Sequence, residues 1–357
     1  SFTLPYSIIY PDKNYKNAYV IGFNFGIQQQ VSKGGIFEAN YLGRFGRHLM
    51  MPTDQNETIR DCTGSYYQAN PIYCASSPTS NYDKRVRYPG FNYGGQGVVD
   101  LLPEATANYN ALQIVYRQRA THNLTLLANY TYSRTLDEQS TLSVSNNNPT
   151  PSNLAGQYGP SNQNTTHIFN AGWRLKLPNL HYDFARFAAA PARAIFNDWA
   201  FNGTYNARSG HPVNVTFGGD MFGNDETPQR AWLIAGMNPN LPGNRHRIDK
   251  VSAWFNPSAY TKPANFVQSN TGRNSLVGPA YICTTFSLTK SIKLSKVRKG
   301  MHAQFRAEAF NIFNTVNLGQ PRANYNSSAG QASTFGSINS SGANPNRRIQ
   351  FGAIFYF

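Results

Sequence analysis

The chain has 357 residues, of which only 14% are charged and 14% are aromatic, whereas ordinary soluble domains carry roughly 25% charge. Mean hydropathy is −0.49, and no stretch approaches the roughly 18 apolar residues of a membrane helix. The most apolar segment, 184–201, is interrupted by Arg186, Pro191, Arg193, Asn197 and Asp198. The net charge of +15 is spread along the chain, with small clusters at Lys296, Arg298, Lys299 and at Arg347-Arg348. No nucleic-acid-binding pattern accompanies it, so nucleic acid is not expected as a partner.

In chain order, alternation of apolar and polar residues marks strands. The start, Ser1-Phe2-Thr3-Leu4-Pro5, has no basic residue and no apolar core of a leader, and reads as part of the tail of a longer protein. Residues 2–10 alternate but read as the end of an incoming loop. Tyr19, Ile21, Phe23, Phe25 and Ile27 form the apolar side of a strand. Phe37, Ala39 and Tyr41 follow, opposite Glu38, Asn40 and Arg44. Leu112, Ile114 and Tyr116 alternate with Gln113 and Arg117. Leu124, Leu126, Ala128, Tyr130 and Tyr132 alternate with Thr125, Asn129, Thr131 and Ser133. Next come Phe169, Ala171, Trp173, Leu175 and Leu177, then Trp199, Phe201, Tyr205 and Ala207 opposite Asn202, Thr204, Asn206 and Arg208. Ile282, Phe286, Leu288, Ile292 and Leu294 oppose Cys283, Thr285, Ser287, Thr289, Ser291 and Lys293. Met301, Ala303, Phe305, Ala307 and Ala309 oppose His302, Gln304, Arg306 and Glu308. The chain closes on the alternating Gln350-Phe351-Gly352-Ala353-Ile354-Phe355-Tyr356-Phe357. A period of two puts each pair of sets on opposite faces of a sheet. About nine strands result, many longer than the roughly five or six residues usual in soluble sheets.

Short connections at 32–35, 120–123 and 295–300 alternate with long polar ones at about 50–106, 136–164, 218–278 and 314–346. The phase is unbroken if 178–196, which reads as a small amphipathic helix, lies on the short side. This pattern predicts an all-β fold: an antiparallel transmembrane β-barrel with long extracellular loops and short periplasmic turns.

Two resemblances sharpen this. Gln350, Gly352, Phe355 and Phe357 fill the positions of a polar-x-Gly-x-x-aromatic-x-aromatic ending, which resembles the signal read by the machinery that assembles outer-membrane barrels. Several phrases taken in order are similar to TonB-dependent outer-membrane receptors of the Oar-like kind, which carry a carboxypeptidase-regulatory-like domain. They are Asn108-Tyr109-Asn110-Ala111-Leu112-Gln113, Ala128-Asn129-Tyr130-Thr131-Tyr132-Ser133-Arg134-Thr135-Leu136-Asp137, Tyr158-Gly159-Pro160-Ser161, Trp254-Phe255-Asn256-Pro257-Ser258-Ala259-Tyr260, Gly272-Arg273-Asn274-Ser275-Leu276-Val277-Gly278-Pro279 and Phe305-Arg306-Ala307-Glu308-Ala309-Phe310-Asn311-Ile312-Phe313-Asn314. The likeness runs from about Ala18 to Phe357. It implies that residues 1–357 are the C-terminal portion of a larger, roughly 22-stranded barrel, with plug and N-terminal strands absent from this chain. It further implies the outer membrane of a Gram-negative bacterium, with lipid and lipopolysaccharide around the barrel. The TonB complex would be engaged through the missing N-terminal part, for uptake of a ligand whose nature the resemblance leaves open.

No catalytic constellation is visible, and neither an enzyme nor a cofactor is expected. The seven histidines show no metal-ligand spacing. His302, Gln304, Arg306 and Glu308 share a polar face and are expected to line a lumen, either as a site or as a charge-balanced wall. Cys62 and Cys74 lie in one loop and could form a disulfide or remain two thiols; Cys283 sits in a strand as packing. Asp220, with Asn224, Asp225 and Glu226, makes an acidic loop that could hold calcium, but without EF-hand spacing. Tyr66, Tyr67, Tyr82, Tyr88 and Tyr93 could stack on sugars or peptides, or pack their own loop. The alternatives to uptake are a surface adhesin or structural outer-membrane barrel without transport, a passive porin, and a soluble carbohydrate-binding β-protein.

Overall fold

The computed structural model describes residues 6–58, 82–93, 97–121, 123–141, 154–179, 195–224, 228–294, 301–325, 334–342 and 346–357. Their backbone is one long antiparallel meander. Its strands are β1 (Tyr19–Ser32), β2 (Gly35–Asp54), β3 (Val98–Thr121), β4 (Leu124–Asp137), β5 (His167–Lys176), β6 (Trp199–Arg208), β7 (Tyr281–Lys293), β8 (His302–Phe310) and β9 (Arg348–Tyr356). Each is hydrogen-bonded to the next in sequence order, so β1 and β9 are the two edges among the described residues. Gly34 at φ 84° turns the chain into β2, and Asn123 at φ 65° turns it into β4; Gly and Asn tolerate this left-handed region best. Most of the segment expected to be an amphipathic helix, 180–194, lies outside the described residues.

The register settles which side chains share a face. One row runs Ile27, Ala39, Ile114, Tyr130, Phe169, Ala207, Ile282 across β1 to β7. A second runs Leu175, Phe201, Leu288, Ala307, Phe351 across β5 to β9. One residue along, the row reads Gln28, Glu38, Val115, Asn129, Asn170, Asn206, Cys283. The apolar sets therefore fall on one face through all nine strands. That face is uncovered: Ile21 is 53% exposed, Phe25 74% and Phe351 82%. A sandwich would have packed these side chains against a second layer; here no second layer of described residues lies over them. Packing on this face runs along the sheet, from strand to strand, and Trp173 reaches across β6 to Phe286 at 5.7 Å. The Phe23 ring lies over Gly43 and the Trp173 indole over Gly203, where a Cβ would collide with the ring. An aromatic laid on a cross-strand glycine shields backbone that would otherwise be bare.

The described parts of the long connections hold more strand structure than their polarity suggests. β2 continues to Asp54 and β3 starts at Val98, so the first loop is shorter than the expected 50–106. Val99, Thr53 and Asp54 are all buried there; with both faces covered, the alternation that marks a strand disappears. Ile8–Pro11 is not a loop end but a short strand, parallel to Val98–Leu101. Farther on, Pro212–Val213 pairs with Leu276–Val277, Trp232–Leu233 with Tyr260–Thr261, and Thr216–Phe217 with both Gln229–Arg230 and Asn324–Tyr325. These ladders enclose a small core of Val213, Val215, Ala231, Phe255, Ala259, Tyr260, Leu276 and Phe335. Phe255 and Phe335 meet edge to face at 5.0 Å, a favoured aromatic geometry. The third and fourth long connections thus fold together as a cap over the end of the sheet.

Candidate functional site

Two places concentrate polar side chains: the junction between cap and sheet, and the polar face of the sheet itself.

At the junction, three of the phrases singled out in the sequence meet. Arg273 of the cap forms an ion pair with Asp137 at the end of β4, and both side chains are largely buried, at 10% and 8% exposure. The guanidinium also donates to the backbone carbonyls of Asp137 (2.9 Å), Glu138 (3.0 Å) and Pro160 (3.3 Å). Asn274, held at φ 55°, donates through Nδ2 to Pro160 O (2.6 Å) and Asn162 Oδ1 (2.7 Å). Gly159 leaves the space: a Cβ there would come within 2.9 Å of the Arg273 carbonyl oxygen. The planar fork of arginine suits such a cluster of acceptors, which lysine could not reach together. Sequence reasoning named Asp137, Gly159, Pro160, Arg273 and Asn274 in family phrases without joining them, and did not name Glu138 or Asn162. The available signal was Asp137 and Glu138, the charged residues of an otherwise uncharged 136–164.

A second tie binds the first long connection to the cap. Tyr82 OH donates to Asp220 Oδ2 at 2.8 Å, Thr58 Oγ1 donates to Gly223 O, and buried Arg85 donates to Gly223 O at 3.3 Å. Asp220 Oδ1 also accepts from Gly223 N (2.7 Å) and Gln229 Nε2 (2.6 Å). Asp220 thus serves as a bracket between loops. Its expected companions Asp225 and Glu226 lie outside the described residues, and among the described residues no three metal-ligating side chains converge. Tyr82 packs against Tyr93 at 5.7 Å, so these two tyrosines are used to hold the loop together. Tyr66, Tyr67, Cys62 and Cys74 lie outside the described residues.

On the polar face, Asn170 Nδ2 donates to Asn129 Oδ1 at 3.1 Å, and Arg117 pairs with Glu38 at 3.0 Å. The four residues of β8 expected to line a lumen have separate partners. Arg306 gives Nε and Nη2 to Gln304 Oε1 (2.8 and 2.7 Å), while Glu308 accepts from Gln350 Nε2 at 2.9 Å. His302 stacks on Tyr356 at 4.2 Å. Gln350, Gly352, Phe355 and Phe357 all belong to the last strand and its end, with Phe355 on the uncovered apolar face beside Ala303. Cys283 is buried and unbonded.

The apolar face has polar borders. On its long-loop side, Tyr41 OH donates to Asn110 Oδ1 (2.9 Å), and Asn108 accepts from Arg47 (3.0 Å) and donates to Tyr158 OH (2.8 Å). Tyr130 OH bonds His167 Nδ1 at 2.8 Å. On the short-turn side, Lys290 reaches the Asn197 carbonyl and lies 5.4 Å from the Trp199 ring. Aromatics with one wet end and one apolar end belong at a boundary between water and hydrocarbon. In the cap core, burial pushes the Tyr260 hydroxyl above the usual tyrosine range, only partly offset by its hydrogen bond with Ser275.

A family model described as an outer membrane beta barrel domain matches residues 1–350. No curated protein matches the sequence. Among solved structures, the outer membrane transporter YddB from Escherichia coli aligns with a TM-score of 0.47 and 9% identity, over 99% of this chain and 35% of that one. The chain therefore spans about a third of that protein's length.

Proposed function

Because the chain belongs to the outer membrane beta barrel domain family and is an outer-membrane protein, we propose that it is the C-terminal part of a TonB-dependent receptor of the Oar-like kind, which takes up a ligand from the cell surface. The observation that carries the reading is the uncovered apolar face, continuous over nine strands and bordered by aromatics. Monomeric soluble proteins rarely expose more than a few hundred Å² of contiguous apolar surface; lipid tails are the partner such a face fits. The polar face then lines an interior, and the long connections with their cap stand outside the cell. The backbone groups along β1 and β9 bond on one side only among the described residues. In hydrocarbon each unsatisfied group costs several kcal/mol, so the proposal includes further strands that close the barrel, with a plug inside it. The family phrases, several of which build the Arg273 junction, support the receptor reading over a passive porin.

The test is cross-linking in living cells between the full-length protein and TonB, with release of energised uptake as a second readout. A photo-crosslink to TonB that disappears when the TonB-contact segment is deleted is the expected result. A protein that assembles in the outer membrane but never contacts TonB would instead be a surface adhesin or structural barrel.

A further inference from the structure

The polar face is not neutral. Arg44, Arg117, Arg174, Arg208, Arg306 and Arg348 stand on it, contributed by β2, β3, β5, β6, β8 and β9. Their register partners show this: Arg44 lies beside Gly22, Arg174 beside Asn202, Arg208 beside Ile168, Arg306 beside Gly352 and Arg348 beside Phe310. The carboxylates on the same face are Glu38, Glu308 and, at its outer end, Asp137, which is taken by Arg273. Glu38 is taken by Arg117, and Glu308 accepts from the neutral Gln350. Among the described residues, Arg117 is the one member of the six with an ion-pair partner. Arg306 makes do with an amide oxygen, and Arg208 and Arg348 lie near aromatic rings, of Tyr281 at 5.2 Å and Phe310 at 5.4 Å.

The spacing along the strands is as informative as the count. Arg208 and Arg348 stand at the long-loop ends of β6 and β9, and Arg44, midway along β2, lies beside Gly22 near the same end of β1. Arg306 is midway along β8, and Arg174 and Arg117 lie toward the short turns. Cations are thus stationed from the outer end of the wall to the inner one. Such a series of stations suits something that moves past them. Inside a barrel the low-dielectric wall strengthens such fields, and rings of Arg and Lys are how pores favour anions. The guanidinium fork matches carboxylate and phosphate oxygens in pairs.

We propose that the solute handled by this wall is an oxyanion, bearing carboxylate or phosphate groups. The proposal rests on the uptake reading, in which the polar face lines a passage. The neighbouring Asn129, Asn170 and Asn206 supply neutral donors and acceptors for the rest of such a molecule.

The experiment uses the full-length protein purified from outer membranes in detergent, with heat-modifiable migration as the check on folding. Titration calorimetry compares citrate and inorganic pyrophosphate with maltose and spermidine. At least one of the two oxyanions is expected to bind, and more weakly when NaCl rises from about 50 to about 500 mM. The double variant Arg174→Gln/Arg306→Gln is expected to lose about tenfold or more in affinity, as for removal of charged hydrogen bonds; Arg174→Lys/Arg306→Lys should recover part. If neither oxyanion binds the folded protein, if maltose or spermidine binds as well, or if the double variant binds unchanged, the proposal is overturned. Oxyanion binding without any contact to TonB would keep this inference and remove the uptake reading. TonB-dependent uptake of a neutral solute would do the reverse.

Discussion

Arg273 and Asp137, 136 residues apart in the chain, form one largely buried ion pair that pins the cap to the end of β4. Breaking a buried pair by removing one partner leaves the other charge uncompensated, at roughly 3–5 kcal/mol. Arg273→Met is therefore expected to release the cap while leaving the sheet intact. Limited proteolysis of whole cells should cut within 209–280 much faster in the variant, with heat-modifiability unchanged. Arg273→Lys should rescue little, because a single ammonium cannot reach Asp137, Glu138 and Pro160 together. Equal protease resistance of wild type and Arg273→Met would show that the pair does not hold the cap.

The two faces can be told apart by adjacent residues. Ile114 lies on the uncovered apolar row between Ala39 and Tyr130, and Gln113 on the polar row between Asn40 and Thr131. Ile114→Arg places a cation toward lipid and is expected to cost about 2–4 kcal/mol near the midplane. Gln113→Arg should cost little. Urea unfolding in lipid vesicles measures both; similar losses would mean that the apolar face does not meet hydrocarbon.

Trp173 and Gly203 fit each other across β5 and β6. A side chain at Gly203 must displace the indole, so Gly203→Val is expected to destabilise by about 1–3 kcal/mol, the range for overpacking. In a Trp173→Ala background the same change should cost much less. A double-mutant cycle reads the coupling, and additive effects would rule out this packing.

Tyr260 links the cap to pH. Burial raises its hydroxyl pKa in the folded protein, so the folded cap favours the neutral phenol. Its contribution is complete below about pH 10, the ordinary tyrosine value, and is lost as pH climbs through the raised folded value. Tryptophan fluorescence, reporting Trp232 and Trp254, should show the cap loosening on the alkaline side of pH 10. Tyr260→Phe should shift that transition to higher pH, and an unchanged transition would assign it to another group.

Much of this was legible because it depends on period alone. Residues such as Phe23, Ile114 and Leu288 declare their face by position, and each strand expected from alternation is present. The end of β8 at Phe310 was not read from the sequence, although its cause is local. Asn311 and Asn314 take φ 49° and 51°, and Asn311 bonds the backbone of Thr315 on both sides, which turns Phe310-Asn311-Ile312-Phe313-Asn314 out of the sheet. What failed were the strand ends above the apolar band. Asp54 and Val99 pair with each other and are both buried, and once both faces are covered a strand carries no polar–apolar contrast to read.

The sequence by itself determined a sheet with one greasy and one polar face, since a β-strand sends successive side chains to opposite sides whatever its neighbours are. Only the tertiary structure decided that the polar connections build a cap, that Asp137, Pro160 and Arg273 converge, and that arginines from six strands share one wall. Those relations join residues far apart in the chain, and their geometry follows from strand order and register, which no local pattern specifies.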